Sequence, residues 1–235
     1  MKKTLLILAN SIKKRGRCVA GIEITNTDLE NPVFGEWVRP IDGTQDEGTL
    51  RAKTVTVGGK YIHPLDVVEI EFASKANDPN HPEDWIIGET DWKLLCAYGD
   101  DILSRLPQSG VDQWGSEKSV VAGSQGATLQ LVKLNQEAEV EAGHFKNTFT
   151  GRDQFKTRIH MPSGRFGYGC SITDPFFTAA HGLSPSSIPP TETPRSLTLP
   201  AGTLVVLSLT PPFTPGDSGP AKQYKIVASI FEKNE

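Results

Sequence analysis

The sequence predicts an all-β protein with one minor helix, folded as two small barrels in tandem. Three observations carry that reading. Short apolar or alternating runs recur along the chain, each bounded by turn residues. Gly and Pro are abundant, 22 and 17 in 235 residues, and they punctuate those runs. Helical periodicity is confined to one short segment, Asp100 to Leu106, which has acids at its start and Pro107 beyond its end.

The first pair of runs is the strongest. Leu5 to Leu8 are four consecutive apolar residues, Asn10 and Ser11 end the run, and Cys18 to Ile24 restart it. A short connection containing Gly16 joins the two, which predicts a β-hairpin, since Gly adopts turn angles without steric cost. Lys13, Lys14, Arg15 and Arg17 crowd that connection and concentrate positive charge at one end of the pair.

Further along, Val33 to Ile41 reads as a third strand, carrying Trp37 and ending in Arg39-Pro40, where proline stops the ladder. Thr54 to Val57 alternates weakly before Gly58-Gly59. Leu65 to Phe72 is a clear strand, and Trp85 to Ile87 and Trp92 to Tyr98 are short apolar pieces. The polar stretch Gln108 to Gly126 is the expected divide, giving domains of residues 1–115 and 116–235. Leu129 to Val140, Phe155 to Met161, Arg165 to Ile172, Thr203 to Leu209 and Tyr224 to Phe231 are the strands expected after it. Ser184 to Pro200, rich in Pro, Ser and Thr, reads as an irregular surface excursion. The tally of about ten strands favours two barrels or sandwiches over any α/β architecture.

Composition narrows the function. The net charge of −4 excludes a generally basic nucleic-acid coat. Charge is uneven, however: the first seventeen residues hold six cations (Lys2, Lys3, Lys13, Lys14, Arg15, Arg17) and no acid. Any anion-binding role is therefore local. Cys18, Cys96 and Cys170 are odd in number and far apart, which argues against a disulfide framework and a Cys-rich metal site. The opening MKKTLLILANS imitates a secretory signal, but its apolar core is short and a basic cluster stands where cleavage would fall. No apolar run approaches the roughly 20 residues of a membrane span. The expectation is a cytoplasmic protein without membrane contact.

The N-terminal LANSIKKRGRCVAGIE resembles the signature of a prokaryotic family, the dual OB-containing domain. Gly35 to Ile41 (GEWVRPI), Leu65 to Ile70 (LDVVEI) and Ser171 to Pro175 (SITDP) are similar to its later elements, as are the closing LSLTPPF and YKIVASI. His81 to Trp85 (HPEDW) is a looser match. The resemblance implies two OB folds and a single-stranded nucleic acid or nucleotide as ligand. It also implies a place near bacterial conflict systems, where such a module would act as a sensor. It supplies no catalytic residues.

Other motifs carry less. Thr178 to His181 and Gly216 to Gly219 look like the His and Ser fragments of a chymotrypsin-type protease. They are too close in sequence to bracket the second half of a double barrel, and both read more simply as loops. Arg165 to Ile172 (RFGYGCSI) is similar to an RNA-recognition strand, with Phe166 and Tyr168 on one face, but the two helices of that fold are missing. The five His show no zinc-ligand spacing. No cofactor, metal or catalytic constellation is expected. The residues expected to hold phosphate are Lys13, Lys14, Arg15, Arg17 and Arg39, with Trp37 or Tyr168 stacking on bases. Two alternatives stay open. The basic turn is also what a solvated, solubilising loop looks like, with Arg17 tied internally to an acid such as Glu36 or Glu69. The barrels would equally serve a protein–protein interaction adaptor, docking a partner on a strand edge or on the Ser184 to Pro200 excursion.

Overall fold

The computed structural model describes residues 1–13, 16–45, 49–110, 112–147, 151–161, 168–214 and 219–233, with the backbone alone at Tyr168. The chain forms two compact units, one of Met1–Pro107 with Gly123–Leu129, the other of Gln108–Ala122 with Gln130–Glu235. It therefore passes between them at 107/108, 122/123 and 129/130; the division expected at 115/116 falls inside the first excursion.

The first unit contains β1 (Lys2–Lys13), β2 (Gly16–Ile24), β3 (Phe34–Ile41), β4 (Thr56–Val57), β5 (Lys60–Tyr61), β6 (Asp66–Lys75), β7 (Asp84–Ile87) and β8 (Lys93–Ala97). Strands β1-β2-β3-β7-β6 follow one another around a sheet, and β1 pairs again with β6, so five strands close into a barrel. Every pairing is antiparallel except β3–β7, which is parallel. The long β1 makes closure possible: residues 4–13 pair with β2 while residues 2–6 pair with β6. Leu5, Ile7, Val19, Val38, Leu50, Val55, Ile62, Val68, Ile70 and Phe72 fill the interior. Leu6 and Leu8 are also fully buried, so the opening apolar run is covered on both faces. The expected hairpin is thus the barrel's seam. The helix expected at Asp100 to Leu106 is present as a 3-10 helix, Asp100–Arg105.

The second unit contains β9 (Ser119–Val121), β10 (Leu129–Lys133, whose first residue belongs to the first unit), β11 (Ala138–Lys146), β12 (Asp153–Met161), β13 (Tyr168–Ile172), α1 (Pro175–Ala180), β14 (Arg195–Leu199), β15 (Leu204–Leu209) and β16 (Lys222–Phe231). Its sheet runs β10-β15-β16-β13-β12-β11-β14, with β9 on β16. Within it, β11-β12-β13-β16-β15 repeats the order and the single parallel step, β13–β16, of the first barrel. Two copies of one strand plan, each with one parallel pairing, are the OB arrangement twice over.

Three expectations change. Ser184 to Pro200 is not wholly irregular: Arg195–Leu199 form β14, hydrogen-bonded to β11, because Leu197 and Leu199 alternate with polar residues and pack inward. Thr178 to His181 is helix end rather than loop. Asp174 accepts hydrogen bonds from the Phe176 and Phe177 amides and Pro175 occupies the first turn, which starts α1. The polar Gln108 to Gly126 stretch contains a strand, β9, held by Gln223 and its neighbours on β16.

Candidate functional site

The site of the first unit is built where β3 and β7 run parallel. Arg39 of β3 lies opposite Asp84 of β7. Its Nε donates to Asp84 Oδ1 at 2.5 Å, and its Nη2 is 3.6 Å from Glu83 Oε1. All three side chains are more than nine-tenths buried. Thr128, from the segment Gly123–Leu129, donates its hydroxyl proton to Glu83 Oε1. That proton being committed, the 3.0 Å contact between Thr128 Oγ1 and His81 Nδ1 requires His81 to donate. A directed chain results: His81 to Thr128 to Glu83. Among the described residues Glu83 Oε2 has no hydrogen-bond partner.

Burial sets the protonation of this cluster. Desolvation, reinforced by the Arg39 charge, pushes the His81 imidazole down to about 3, so the ring is neutral. Desolvation pushes the Asp84 carboxyl up to about 6 despite the Arg39 guanidinium beside it. Cys18, half-buried nearby, has its thiol pushed up by burial, so it is not a reactive thiolate.

A groove of about 440 Å³ opens against this cluster. Trp37 of β3 and Trp85 of β7 line it, both half-buried, with Lys3, Lys75, Glu23, Glu36 and Glu83. Pro82, Gly126 and Ala127 complete part of its wall. Trp85 is held edge-on against the core ring of Phe72, at 5.9 Å between centroids. Lys3 Nζ stands 4.3 Å from the Trp85 ring centre and 2.6 Å from Glu23 Oε2; Lys75 Nζ lies 5.9 Å from the same ring. The groove thus combines two indole faces with ammonium and carboxylate groups.

Of the residues expected to bind, Trp37 lies in this groove. Arg39 is not offered to a ligand; it is buried and held by Asp84 and Glu83. Arg17 sits elsewhere on the barrel, its guanidinium 4.4 Å from the Tyr61 ring centre and its Nη1 3.4 Å from the Asn10 carbonyl. The structure supplies Arg17 with an aromatic and a carbonyl contact; Glu69, one of the two acids expected to tie it, pairs with Lys2 instead. Lys13 ends β1 opposite Gly16, half-buried. Tyr168 opens β13 of the second unit, opposite Met161. Lys14 and Arg15 lie outside the described residues, as do the side chain of Tyr168, Phe166 and Ser218. His181, the other protease-like residue, contacts Glu232 at 2.7 Å.

His81, Glu83, Asp84 and Trp85, all from HPEDW, belong to the site without being among the residues that the sequence marks for binding. The signal was there: two acids and a His beside a Trp, at the start of an apolar run. Nothing in the sequence shows that Arg39, some 45 residues upstream, is their partner.

The order of strands, the single parallel step and the barrel-side groove agree with one comparison. Residues 3–230 match the dual OB-containing domain. The chain belongs to the dual OB-containing domain family. No curated protein and no solved structure matches it. Membership carries the dual OB architecture and a binding role as the coarse function. Among the described residues no helix is long and apolar enough to cross a membrane.

Proposed function

We propose that this dual OB protein is a non-catalytic module that binds single-stranded nucleic acid or a nucleotide in the groove of its first barrel. The observation that carries the reading is that Trp37 and Trp85 share one groove with the exposed ammonium of Lys75, Lys3 being paired with Glu23. Indole faces stack on bases of any sequence, and ammonium groups attract phosphate; OB grooves use that combination. Few phosphates can be neutralised there, so affinity is modest and falls with salt over a shallow slope. As a sensor in a bacterial conflict system, the module would report its ligand by occupancy rather than by turnover.

Fluorescence anisotropy with labelled single-stranded DNA, RNA and nucleotides at two salt concentrations tests this. Binding at low salt that weakens at high salt is expected. Absence of binding at low salt overturns the reading, and co-purification of a stoichiometric protein partner in its place would favour the adaptor.

A further inference from the structure

Three carboxylates, Glu23, Glu36 and Glu83, and two ammonium groups, Lys3 and Lys75, line the groove. Lys3 is already paired with Glu23 at 2.6 Å, which leaves two carboxylates against the exposed Lys75. A phosphodiester track needs the opposite balance. Glu83 adds a second, independent observation. It is 7% exposed, its Oε1 is fixed by Thr128 and lies 3.6 Å from Arg39, and its Oε2 is an acceptor without a donor among the described residues. A buried acceptor left unpaired is costly, and the cost is relieved when a donor arrives.

We infer that the groove is a base pocket rather than a backbone track, and that Glu83 and Glu36 select a base rich in N–H donors, guanine above all. This rests on the nucleic-acid reading and specifies what the groove recognises. Guanine presents an imino and an amino N–H side by side, the pair a carboxylate accepts best. Adenine and cytosine present one amino group each. Uracil and thymine flank their single N–H with carbonyl oxygens, which a carboxylate repels. The ring stacks on Trp37 or Trp85 while its donor edge meets the carboxylates. Oε2 is shielded from bulk water, so a base donor reaches it only by displacing what covers it.

The experiment titrates the full-length protein with a thymidine pentamer and with the same pentamer carrying one central guanine, adenine or cytosine. The guanine pentamer should bind roughly tenfold tighter than the thymidine pentamer, with adenine and cytosine between them. Glu83→Gln should abolish or invert that order. Its carbonyl oxygen keeps the Thr128 and Arg39 side, and its NH2 then stands where Oε2 was, a donor in place of an acceptor. Glu36→Gln, on an exposed side chain, should reduce the guanine preference several-fold without inverting it. Equal affinity for all four pentamers overturns the base assignment and leaves nucleic-acid binding standing. A guanine preference that neither variant alters overturns the assignment to these carboxylates. No binding of any pentamer overturns both readings.

Discussion

Arg39 and Asp84 stand opposite each other on the parallel pair β3–β7, joined by a 2.5 Å hydrogen bond from Nε to Oδ1. Glu83, the residue before Asp84, has its Oε1 3.6 Å from the same guanidinium. One cation therefore serves two buried carboxylates at the only parallel step of the barrel. Removing it strands both. Arg39→Ala should lower unfolding stability by about 3–5 kcal/mol in urea denaturation. Arg39→Met with Asp84→Leu should cost less than Arg39→Ala alone, because it leaves one buried carboxylate, Glu83, without its cation instead of two. An Arg39→Ala variant with unchanged stability and lost ligand binding would return Arg39 to the ligand contacts.

Arg17 should behave differently. It is half-buried, packed on Tyr61, with one long hydrogen bond to the Asn10 carbonyl. An exposed cation–π contact contributes about 0.5–1 kcal/mol. Arg17→Ala should lower stability by about 1 kcal/mol, well short of the Arg39 variant in the same urea titration. A loss as large as that of Arg39 would show Arg17 to be a buried ionic tie.

Legibility followed local pattern. Leu5 to Ile24 announced a hairpin because the apolar runs and the Gly16 connection are contiguous, and β1–β2 forms there. The parallel β3–β7 step is not local, so Arg39 read as an exposed strand end instead of a buried partner of Asp84. Short elements escaped for another reason. Six residues of α1 give fewer than two turns, too few for a 3.6-residue period, although Asp174-Pro175 is a sound N-terminal signal. SITDP, read as a family element, is that cap: Asp174 also accepts from the Ile230 amide, fixing the helix to β16. The groove was half legible. Trp37 belongs to a recognisable strand and Trp85 opens a short apolar piece, but Glu83 and His81 sit in a polar stretch that reads as loop until β7 is placed beside β3.

Trp37 lines the groove from β3 and is half-buried, so its removal should affect binding more than folding. Base–aromatic stacking contributes about 1–3 kcal/mol per base. Trp37→Ala should weaken single-stranded oligonucleotide binding by roughly 5- to 150-fold while the melting temperature moves little. Wild-type affinity in that variant would take Trp37 out of the site.

Gly21 of β2 stands where no side chain fits. A Cβ there would meet the Leu6 carbonyl oxygen at 2.4 Å and the Leu6 carbonyl carbon at 3.0 Å, both backbone atoms of β1. Neither can retreat without opening the β1–β2 seam. Gly21→Ala should cost about 3 kcal/mol or more, read as a drop in melting temperature. Gly58→Ala and Gly59→Ala, at positive φ but in open space, carry backbone strain alone and should cost less.

His81 and Asp84 oppose each other as pH falls. The His81 ring is held neutral in the fold, with its pKa near 3 against 6.5 in the open chain. Its contribution is therefore fully present above pH 6.5 and is lost as pH drops from 6.5 toward 3, because the unfolded chain gains a proton that the fold refuses. Asp84 runs the other way: held near 6 against 3.8, it favours the fold below pH 3.8 and loses that advantage as pH rises through 6. Both effects are already present between pH 6 and 6.5, where Asp84 begins to protonate in the fold, and over the whole acid range the larger displacement of His81 outweighs that of Asp84. His81→Asn isolates it. The Asn amide can still donate to Thr128, and nothing at that position titrates. The variant should be less stable than the wild type at pH 7.5, and the gap measured by urea unfolding should shrink steadily at pH 6 and pH 5, since only the wild type carries the His81 penalty. Comparing the two proteins at each pH cancels every other carboxylate, Asp84 included. A gap that stays constant from pH 7.5 to pH 5 would mean that His81 takes its proton in the folded barrel as readily as in the unfolded chain.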